Sequence, residues 1–307
     1  MIKSFMLSVA IAATTATALS FACSGAFAQS AAPPLPYKPH AVTTPDGVKL
    51  NVQEWGNPNG PEILFIHGFA QSYLSWTKQF KSDLAKDFRL ITYDARGHGF
   101  SDKPASPEFY KENKRWADEV KAVIEQTGLK RPVVVGWSYA GRIISDYLMT
   151  YGDGAIAGVN FVSAVTNATI NVNTPAGPAA AGMISDDQQR NIESTRAFLR
   201  ACFSKQPTQA EFEDMVALNM LTPSIVRRHM FGRTSPYEAM LKGLKVPVLV
   251  THGVEDKAVL LAVGQYTVAT VPGARASFYQ GIGHAAFWEE PERFNRELRE
   301  FVLAAKR

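Results

Sequence analysis

The sequence predicts an α/β protein with a mostly parallel sheet flanked by helices. Short apolar runs alternate along the chain with longer segments of helical periodicity, and runs that are apolar on both faces are typical of parallel strands covered by helices. Hydrophobic residues make up 46% and charged residues 20% of the 307 residues, which is a globular composition. Strand and helix in alternation indicate right-handed βαβ crossovers.

The individual elements follow from these runs. A hairpin is predicted after Ala41, with a turn at Pro45-Asp46-Gly47 and alternating residues from Val48 to Trp55. The predicted strands that follow are Ile63–Ile66, Arg89–Tyr93, Val133–Val135, Val159–Val162, Val246–Thr251 and Ala276–Tyr279. The predicted helices are Tyr73–Ala85, Phe109–Thr127, Tyr139–Tyr151, Ala258–Val271 and Pro291–Ala305.

One interval interrupts the alternation. Residues 166–244 contain no convincing strand and show helical patterns at Asp186–Phe203, Gln209–Leu218 and Ser224–Phe231. A connection of about 80 residues is far longer than an ordinary loop. We therefore expect a helical cap at 166–244, inserted into a core formed by 41–165 and 245–307. The methionine and leucine content of the cap suits an adaptable apolar wall, although packing among its own helices explains most of these residues.

The N-terminus has the pattern of a secretory signal peptide. Met1-Ile2-Lys3 is followed by an uncharged stretch and by Ala26-Phe27-Ala28, so we predict a signal peptide at 1–28, cleavage after Ala28, and a periplasmic or secreted protein. A membrane anchor and a lipoprotein modified at Cys23 are the alternatives. Residues 29–40, rich in proline, are predicted to form an extended tether.

Charge and cysteine content argue against a nucleic-acid-binding protein and against a fold stabilised by disulfides. The net charge is +4 at pH 7, of which Lys3 in the leader contributes one, and no long run of lysine or arginine is present. A nucleic-acid interface is not indicated, and no membrane contact is expected after leader removal. Cleavage would leave Cys202 as the one cysteine, so no internal disulfide can form. We expect Cys202 to be a buried small hydrophobic residue rather than a nucleophile.

A candidate nucleophile lies at the end of a predicted strand. Gly136-Trp137-Ser138-Tyr139-Ala140-Gly141 follows Val133–Val135 directly and precedes a helical segment. G-x-S-x-G at a strand-to-helix turn places the serine on a strained elbow, where the chain turns too tightly for large flanking side chains. The alternative is that Ser138 only caps the following helix.

A serine hydroxyl needs a general base and a group that orients this base. Among the six histidines, His284 lies in the glycine-flanked loop after the last predicted strand, where it can reach the edge of the sheet that holds Ser138. The orienting acid is expected at the end of the strand Val246–Thr251, as Asp256 or the adjacent Glu255. We assign structural or solvent roles to three other histidines. His40 lies in the predicted tether, His229 lies in the predicted cap, and His252 lies at the end of the strand Val246–Thr251.

An oxyanion needs two fixed N–H donors. In sheets of this architecture they come from the residue after the nucleophile and from the loop after an early strand. These positions correspond to the backbone N–H groups of Tyr139 and Phe69. We expect His67, in the same loop, to brace the backbone rather than to act as a base.

Together these segments resemble the α/β-hydrolase fold. The matching segments span nearly all of the mature chain: His67–Phe69, Asp94–Asp102, Gly136–Gly141, His252–Asp256 and Gly283-His284. The order Ser, Asp, His is that of the family, and the family's H-G-x-x-D spacing favours Asp256 over Glu255. In the family, the segment Asp94–Asp102 is a conformational turn beside the site without a catalytic role.

The resemblance implies a serine hydrolase that cleaves a small carboxylic ester or lactone through an acyl-enzyme on Ser138, with no metal or organic cofactor. Ser138 argues against the relatives with a carboxylate nucleophile, and the H-G-F-A loop lacks the triple glycine of the lipase branch. Carbon–carbon bond hydrolysis, acyl transfer, perhydrolysis and slow-turnover ligand binding are the alternatives.

Trp137 and Phe287 are candidate walls of an apolar substrate pocket, or else core residues. The oligomeric state stays open.

Overall fold

An eight-stranded sheet runs through the protein. The structure is a computed structural model that describes residues 36–234 and 236–305, so the predicted signal peptide at 1–28 and most of the predicted tether lie outside the described residues. The strands are β1 (Lys38–Thr43), β2 (Lys49–Gly56), β3 (Glu62–Ile66), β4 (Arg89–Tyr93), β5 (Val133–Trp137), β6 (Gly158–Val162), β7 (Val248–Gly253) and β8 (Arg275–Tyr279).

The strand order is β1-β2-β4-β3-β5-β6-β7-β8. Strand β2 pairs antiparallel with β1 and β4, whereas every pair from β4 to β8 is parallel. The predicted fold class, a mostly parallel sheet with flanking helices, is confirmed.

Helices connect the strands. Outside the interval between β6 and β7 they are α1 (Thr77–Phe80), α2 (Leu84–Asp87), α3 (Glu108–Lys111), α4 (Asn113–Gln126), α5 (Ala140–Tyr151), α11 (Leu261–Thr270), α12 (Ala286–Glu289) and α13 (Pro291–Ala305). The continuous helix predicted at Tyr73–Ala85 is wrong, because a 3₁₀ turn precedes α1 and a break follows it. At this break Ser82 Oγ donates to Gln79 O at 2.7 Å and accepts from Leu84 N at 3.2 Å, and such serine bonds compete with the helical ladder.

Between β6 and β7, the residues that the structure describes form five helices: α6 (Gly177–Gly182), α7 (Gln188–Ala201), α8 (Gln209–Met220), α9 (Ser224–Met230) and α10 (Glu238–Lys242). Within the described part of this interval no strand occurs. We use the name cap for helices α6–α10. Its domain boundaries at 166 and 244 stay a prediction.

Helices cover both faces of the sheet. On one face, α13 presents Phe294, Leu298 and Phe301, each at most 1% exposed, at the spacing of an amphipathic helix. On the opposite face α4 and α5 pack through residues such as Trp116 and Ile144. Because helices occupy the faces, the carboxyl edge of the parallel strands is the place left for a site.

The predicted tether is too long by three residues. Strand β1 begins at Lys38, and His40 lies opposite Val52 in the antiparallel ladder. His40 Nε2 lies 2.7 Å from Glu54 Oε2. Pro39 lies in this edge strand, where a missing N–H is tolerated. The proline-rich composition before Ala41 therefore hid the start of β1.

Among the described residues, none of the helices combines the length and the apolar character that crossing a membrane requires.

Candidate active site

The predicted site residues follow neighbouring strands of the sheet. The loops after β3, β5, β7 and β8 carry Phe69, Ser138, Asp256 and His284 in turn. Because β3, β5, β6, β7 and β8 run parallel, all four loops leave the sheet at the same edge.

Ser138 occupies a strained turn between β5 and α5. Its φ of 58° lies in the left-handed region, which non-glycine residues rarely adopt. A Cβ on Gly141 would lie 2.7 Å from Val165 N, so the elbow packs closely against the loop after β6. The helix begins at Ala140, with Tyr139 at the N-cap position and no side-chain capping bond. Ser138 therefore does not act as the helix cap that the alternative interpretation required.

His284 and Asp256 form a buried pair. His284 Nδ1 lies 2.7 Å from Asp256 Oδ2, and the side chains are 1% and 0% exposed. The other carboxylate oxygen accepts from the backbone N–H groups of Ala258 at 2.8 Å and Val259 at 2.9 Å. Burial would raise the pKa of Asp256, but His284, His252 and the hydrogen bonds hold it well below its ordinary value.

Glu255, the alternative to Asp256 as the orienting acid, forms no hydrogen bond or ion pair with His284 in the described part of the chain. Glu255 is exposed, and its backbone N–H donates to Ile282 O at 2.9 Å. His252 is buried, with Nε2 2.9 Å from Val259 O and 3.4 Å from Asp256 Oδ2. The ring of His252 thus supports the turn that holds Asp256.

The elbow also contacts the His284 loop. Trp137 Nε1 donates to His284 O at 2.9 Å, so the residue before Ser138 fixes the backbone of the histidine. In the described part of the chain no hydrogen bond joins Ser138 Oγ to the His284 ring, whereas the His284–Asp256 bond is formed. Contacts of this kind often tighten only when substrate binds.

Two backbone donors face the same space as Ser138. The N–H groups of Phe69 and Tyr139 have no acceptor within the described residues, and both residues line a cavity together with Ser138. A Cβ on Gly68 would lie 3.1 Å from Ser138 Cβ, so the loop after β3 passes directly beside the serine. Free N–H groups in this place can stabilise an oxyanion.

Two buried histidines hold the loop after β3. His67 Nδ1 donates to Gly68 O at 2.8 Å, and its Nε2 accepts from Ala95 N at 2.9 Å. His98 Nε2 accepts from Ala70 N at 3.1 Å. Burial lowers the pKa of both rings, so the neutral form that this donor–acceptor pattern needs is favoured. These contacts suit a bracing role for His67.

The cavity beside Ser138 has a volume of about 950 Å³. It lies between the core loops and the cap, and small apolar residues of α6 form much of its wall: Ala176, Gly177, Pro178, Ala180 and Ala181. Phe231 lies at the mouth with 44% exposure, and its ring lies 5.2 Å from that of Phe69. None of the described lining residues carries a formal charge, so the cavity suits a neutral, largely apolar group.

Trp137 and Phe287, the predicted substrate contacts, do not line this cavity. They are 4% and 1% exposed and pack on each other with ring centroids 4.9 Å apart. Both line a separate cavity of about 530 Å³ with Cys202 and Trp288. Alternate side chains of a strand share a face, and Trp137, the last residue of β5, packs in the same core cluster as Val133 and Val135.

A polar network behind Tyr139 was missed by the sequence analysis. Arg233 Nη1 donates to Tyr139 Oη at 2.9 Å, and its guanidinium also contacts Asp146. Tyr237 Oη donates to Asp146 Oδ1 at 2.7 Å, and Tyr139 Oη donates to Met230 O at 2.9 Å. This network ties the residue after Ser138 to the segment that leaves α9 of the cap. One signal was available, a carboxylate on a helix that is otherwise rich in apolar residues.

Over residues 36–234 and 236–305, no group of three or more His, Cys, Asp or Glu side chains is arranged to hold a metal ion. Cys202 is buried, and burial raises the pKa of its thiol well above the ordinary value, which disfavours the reactive thiolate.

Comparisons with known proteins agree with this geometry. A family model described as the alpha/beta hydrolase fold matches residues 61–182. A bifunctional esterase/perhydrolase of Acinetobacter calcoaceticus is 29% identical over 85% of this chain and 98% of its own length. The esterase RhEst1 of Rhodococcus sp. ECU1013 is 33% identical, with a TM-score of 0.82 over 88% of this chain and 100% of that one.

A crystal structure from Burkholderia cenocepacia, provisionally assigned as an aryl esterase, is 40% identical with a TM-score of 0.83. The match covers 87% of this chain and 99% of that protein. Identity at this level over nearly whole chains, together with the shared sheet and the strained serine turn, leads to one conclusion. The chain belongs to the α/β-hydrolase family of enzymes.

Proposed function

We propose that the protein is a serine esterase that hydrolyses neutral carboxylic esters, including lactones, through an acyl-enzyme on Ser138. The observation that carries the proposal is that Ser138 lines one cavity with Phe69 and Tyr139, whose N–H groups have no acceptor among the described residues. The loop of the His284–Asp256 pair is joined to the same elbow through Trp137 Nε1. The names of the related esterases support the same reaction.

The proposed reaction has two steps. His284 takes the hydroxyl proton of Ser138 while the oxygen attacks the ester carbonyl, and the charged carbonyl oxygen is bound by the N–H groups of Phe69 and Tyr139. The alcohol leaves with the proton from His284. Water then attacks the acyl-enzyme, again with His284 as base, and the carboxylic acid leaves. Asp256 stays ionised and stabilises the imidazolium, in accord with its lowered pKa.

The uncharged lining of the cavity beside Ser138 is the basis for proposing neutral, apolar substrates. Its uncharged, mainly apolar wall disfavours an acyl or alcohol group with a formal charge, because that charge would lose hydration without gaining a partner. We expect esters of bulky apolar groups to be turned over faster than esters that carry a carboxylate or a quaternary ammonium group. Because Phe231 at the mouth is partly exposed, an aromatic group can stack there.

Labelling with a fluorophosphonate tests the proposal without knowledge of the substrate. We expect purified Gln29–Arg307 to form a covalent adduct on the peptide that contains Ser138, and Ser138→Ala and His284→Ala to form none. Turnover of an ester such as a p-nitrophenyl ester should fall on the order of a million-fold in each variant. If Ser138→Ala keeps most of the activity, the proposal is wrong; a folded wild-type protein that is not labelled favours a ligand-binding role.

A second activity, perhydrolysis, is favoured by one observation. The Acinetobacter calcoaceticus relative is named as a bifunctional esterase/perhydrolase. In that reaction hydrogen peroxide replaces water as the attacking group on the acyl-enzyme, and a peracid leaves. Product analysis with added peroxide or alcohol separates hydrolysis from perhydrolysis and acyl transfer, and a β-diketone substrate tests carbon–carbon bond cleavage.

A further inference from the structure

The loop that carries His284 is attached to the cap as well as to the core. The backbone N–H of His284 donates to Cys202 O at 2.8 Å, and Cys202 is the residue that ends α7. The preceding residue, Gly283, donates its N–H to Glu289 Oε1 at 3.0 Å. The main chain on both sides of the Gly283–His284 peptide is therefore fixed by groups outside the Ser138–His284–Asp256 set.

Glu289 joins this loop to the turn after α7. Its second oxygen, Oε2, accepts from the N–H groups of Ser204 at 3.0 Å and Lys205 at 2.7 Å. One carboxylate thus accepts backbone bonds from two segments that are about 80 residues apart in the sequence. The ammonium group of Lys205 does not contact Glu289, and lies 3.0 Å from Glu290 Oε1 instead.

The two segments are in direct backbone contact. A Cβ built on Gly283 would lie 2.8 Å from Cys202 O and 2.9 Å from Ser204 N. Both distances are shorter than the contacts that real Cβ atoms make, so Gly283 allows the cap turn to approach the loop. Any shift of the turn after α7 is therefore transmitted to the backbone of His284.

We propose that Glu289 is a positioning residue, which holds the His284 loop against the cap turn and so keeps the imidazole within proton-transfer reach of Ser138. The inference rests on the proposed function, because His284 is the base only in that mechanism. Asp256 fixes the orientation of the ring, whereas Glu289 and Cys202 fix the backbone from which the ring projects. Glu289 touches neither the cavity beside Ser138 nor the reacting atoms.

Glu289→Gln removes one of the two acceptor groups with little change in size. A glutamine has one acceptor oxygen, and its amide nitrogen cannot accept from an N–H, so the bond to Gly283 or the bonds to the turn must break. Since a misplacement of about 1 Å costs about a hundredfold in rate, we expect kcat to fall about ten- to a hundredfold. KM for an apolar ester should stay within about twofold, because the residues that line the ester cavity are unchanged.

Glu290→Gln is the matched control. Glu290 is the adjacent carboxylate, and its contacts are ion pairs with the side chains of Lys205 and Arg293 rather than bonds to the His284 loop. We expect its kcat to equal that of the wild type. The low-field proton resonance of the His284–Asp256 hydrogen bond should shift or broaden in Glu289→Gln alone, a change that a general loss of stability does not produce.

Gly283→Ala tests the same contact from the other side, because its methyl group would push the loop away from Cys202 O and would also crowd Glu289 Oε1, 3.1 Å away. It also replaces Glu289→Gln if that variant does not fold. A kcat within about twofold of the wild type in either folded variant overturns the proposal. That failure is distinguishable from failure of the proposed function, since Ser138→Ala and His284→Ala would still abolish turnover and labelling.

Discussion

The buried ion pair between Arg233 and Asp146 permits a quantitative stability prediction. Both side chains are 0% exposed, and Arg233 is the one cation in contact with this carboxylate among the described residues. Arg233→Met would keep much of the side-chain volume and leave the hydroxyl of Tyr237 as the hydrogen-bond partner of Asp146 among the described residues. Removing one member of a buried pair costs about 3–5 kcal/mol, because the remaining charge is uncompensated.

The expected loss corresponds to a large change in melting temperature. For a chain of this size, 1 kcal/mol shifts the Tm by about 2–4 °C, so Arg233→Met should lower the Tm by roughly 10 °C. As a matched control, Arg228→Met removes an arginine from a pair with Asp186 in which the side chains are 39% and 78% exposed. Exposed pairs contribute about 0–1 kcal/mol, so this variant should stay close to the wild type.

The loss of stability caused by Arg233→Met should also depend on pH. Burial raises the pKa of Asp146 to about 6 from an ordinary value of 3.8, although Arg233 and Tyr237 favour the charged form. A carboxyl with a raised folded-state pKa favours folding below its ordinary pKa, and this contribution is lost as the pH rises through about 6. Without Arg233 the pKa rises further, so the variant should lose more stability at pH 8 than at pH 5.

Urea unfolding followed by circular dichroism at both pH values measures these differences. The double variant Arg233→Met/Asp146→Asn has no unpaired charge, so it should recover a large part of the stability lost in Arg233→Met at pH 8. The reasoning is refuted if Arg233→Met lies within about 1 kcal/mol of the wild type at pH 8, where the buried charge should cost several times more. It is equally refuted if Asp146→Asn restores nothing.

Two further predictions concern the site itself. Asp256→Asn should lower kcat about ten-thousandfold by favouring the wrong tautomer of the imidazole, whereas Glu255→Gln should leave it unchanged; equal ester hydrolysis rates in the two variants would contradict the assignment. Gly141→Ala should displace the elbow, because its Cβ would lie 2.7 Å from Val165 N, and should slow fluorophosphonate labelling of Ser138. Gly154→Ala, with nothing within 4 Å of the new Cβ, is its control, and equal labelling rates would count against the strained elbow.

Local patterns were sufficient to predict the sheet and the placement of the site. The apolar runs became β3 to β8 with ends shifted by at most two residues, because a strand buried on both faces needs apolar side chains at every position. Once these strands are parallel, residues that directly follow them must share an edge. Ser138 and His284 were predicted from this argument and from glycine positions, which report tight turns. The choice of Asp256 over Glu255 came from the spacing of the family that the chain resembles.

Orientation and packing were harder to predict. Trp137 is the last residue of β5 and directly precedes Ser138, but it lines another cavity. The breaks near Ser82 and Glu112 depend on local hydrogen bonds and backbone angles that helical periodicity does not encode. His40 was placed outside the sheet because proline content suggested a tether, whereas an edge strand tolerates proline.

The contacts between the cap and the site could not be predicted from the sequence, because their partners are far apart along the chain. Glu289 accepts from Lys205, and Arg233 binds Asp146, across separations of 84 and 87 residues. A carboxylate that accepts backbone N–H bonds leaves no complementary side chain in the sequence to reveal its partner. The core supplies Ser138, Asp256 and His284 after β5, β7 and β8, at one edge of the sheet, so their arrangement follows from topology. The cap contacts Tyr139 and the His284 loop through pairs that only the folded chain brings together. Substitutions in the cap that break either of these contacts and leave the Ser138 cavity intact should therefore change kcat.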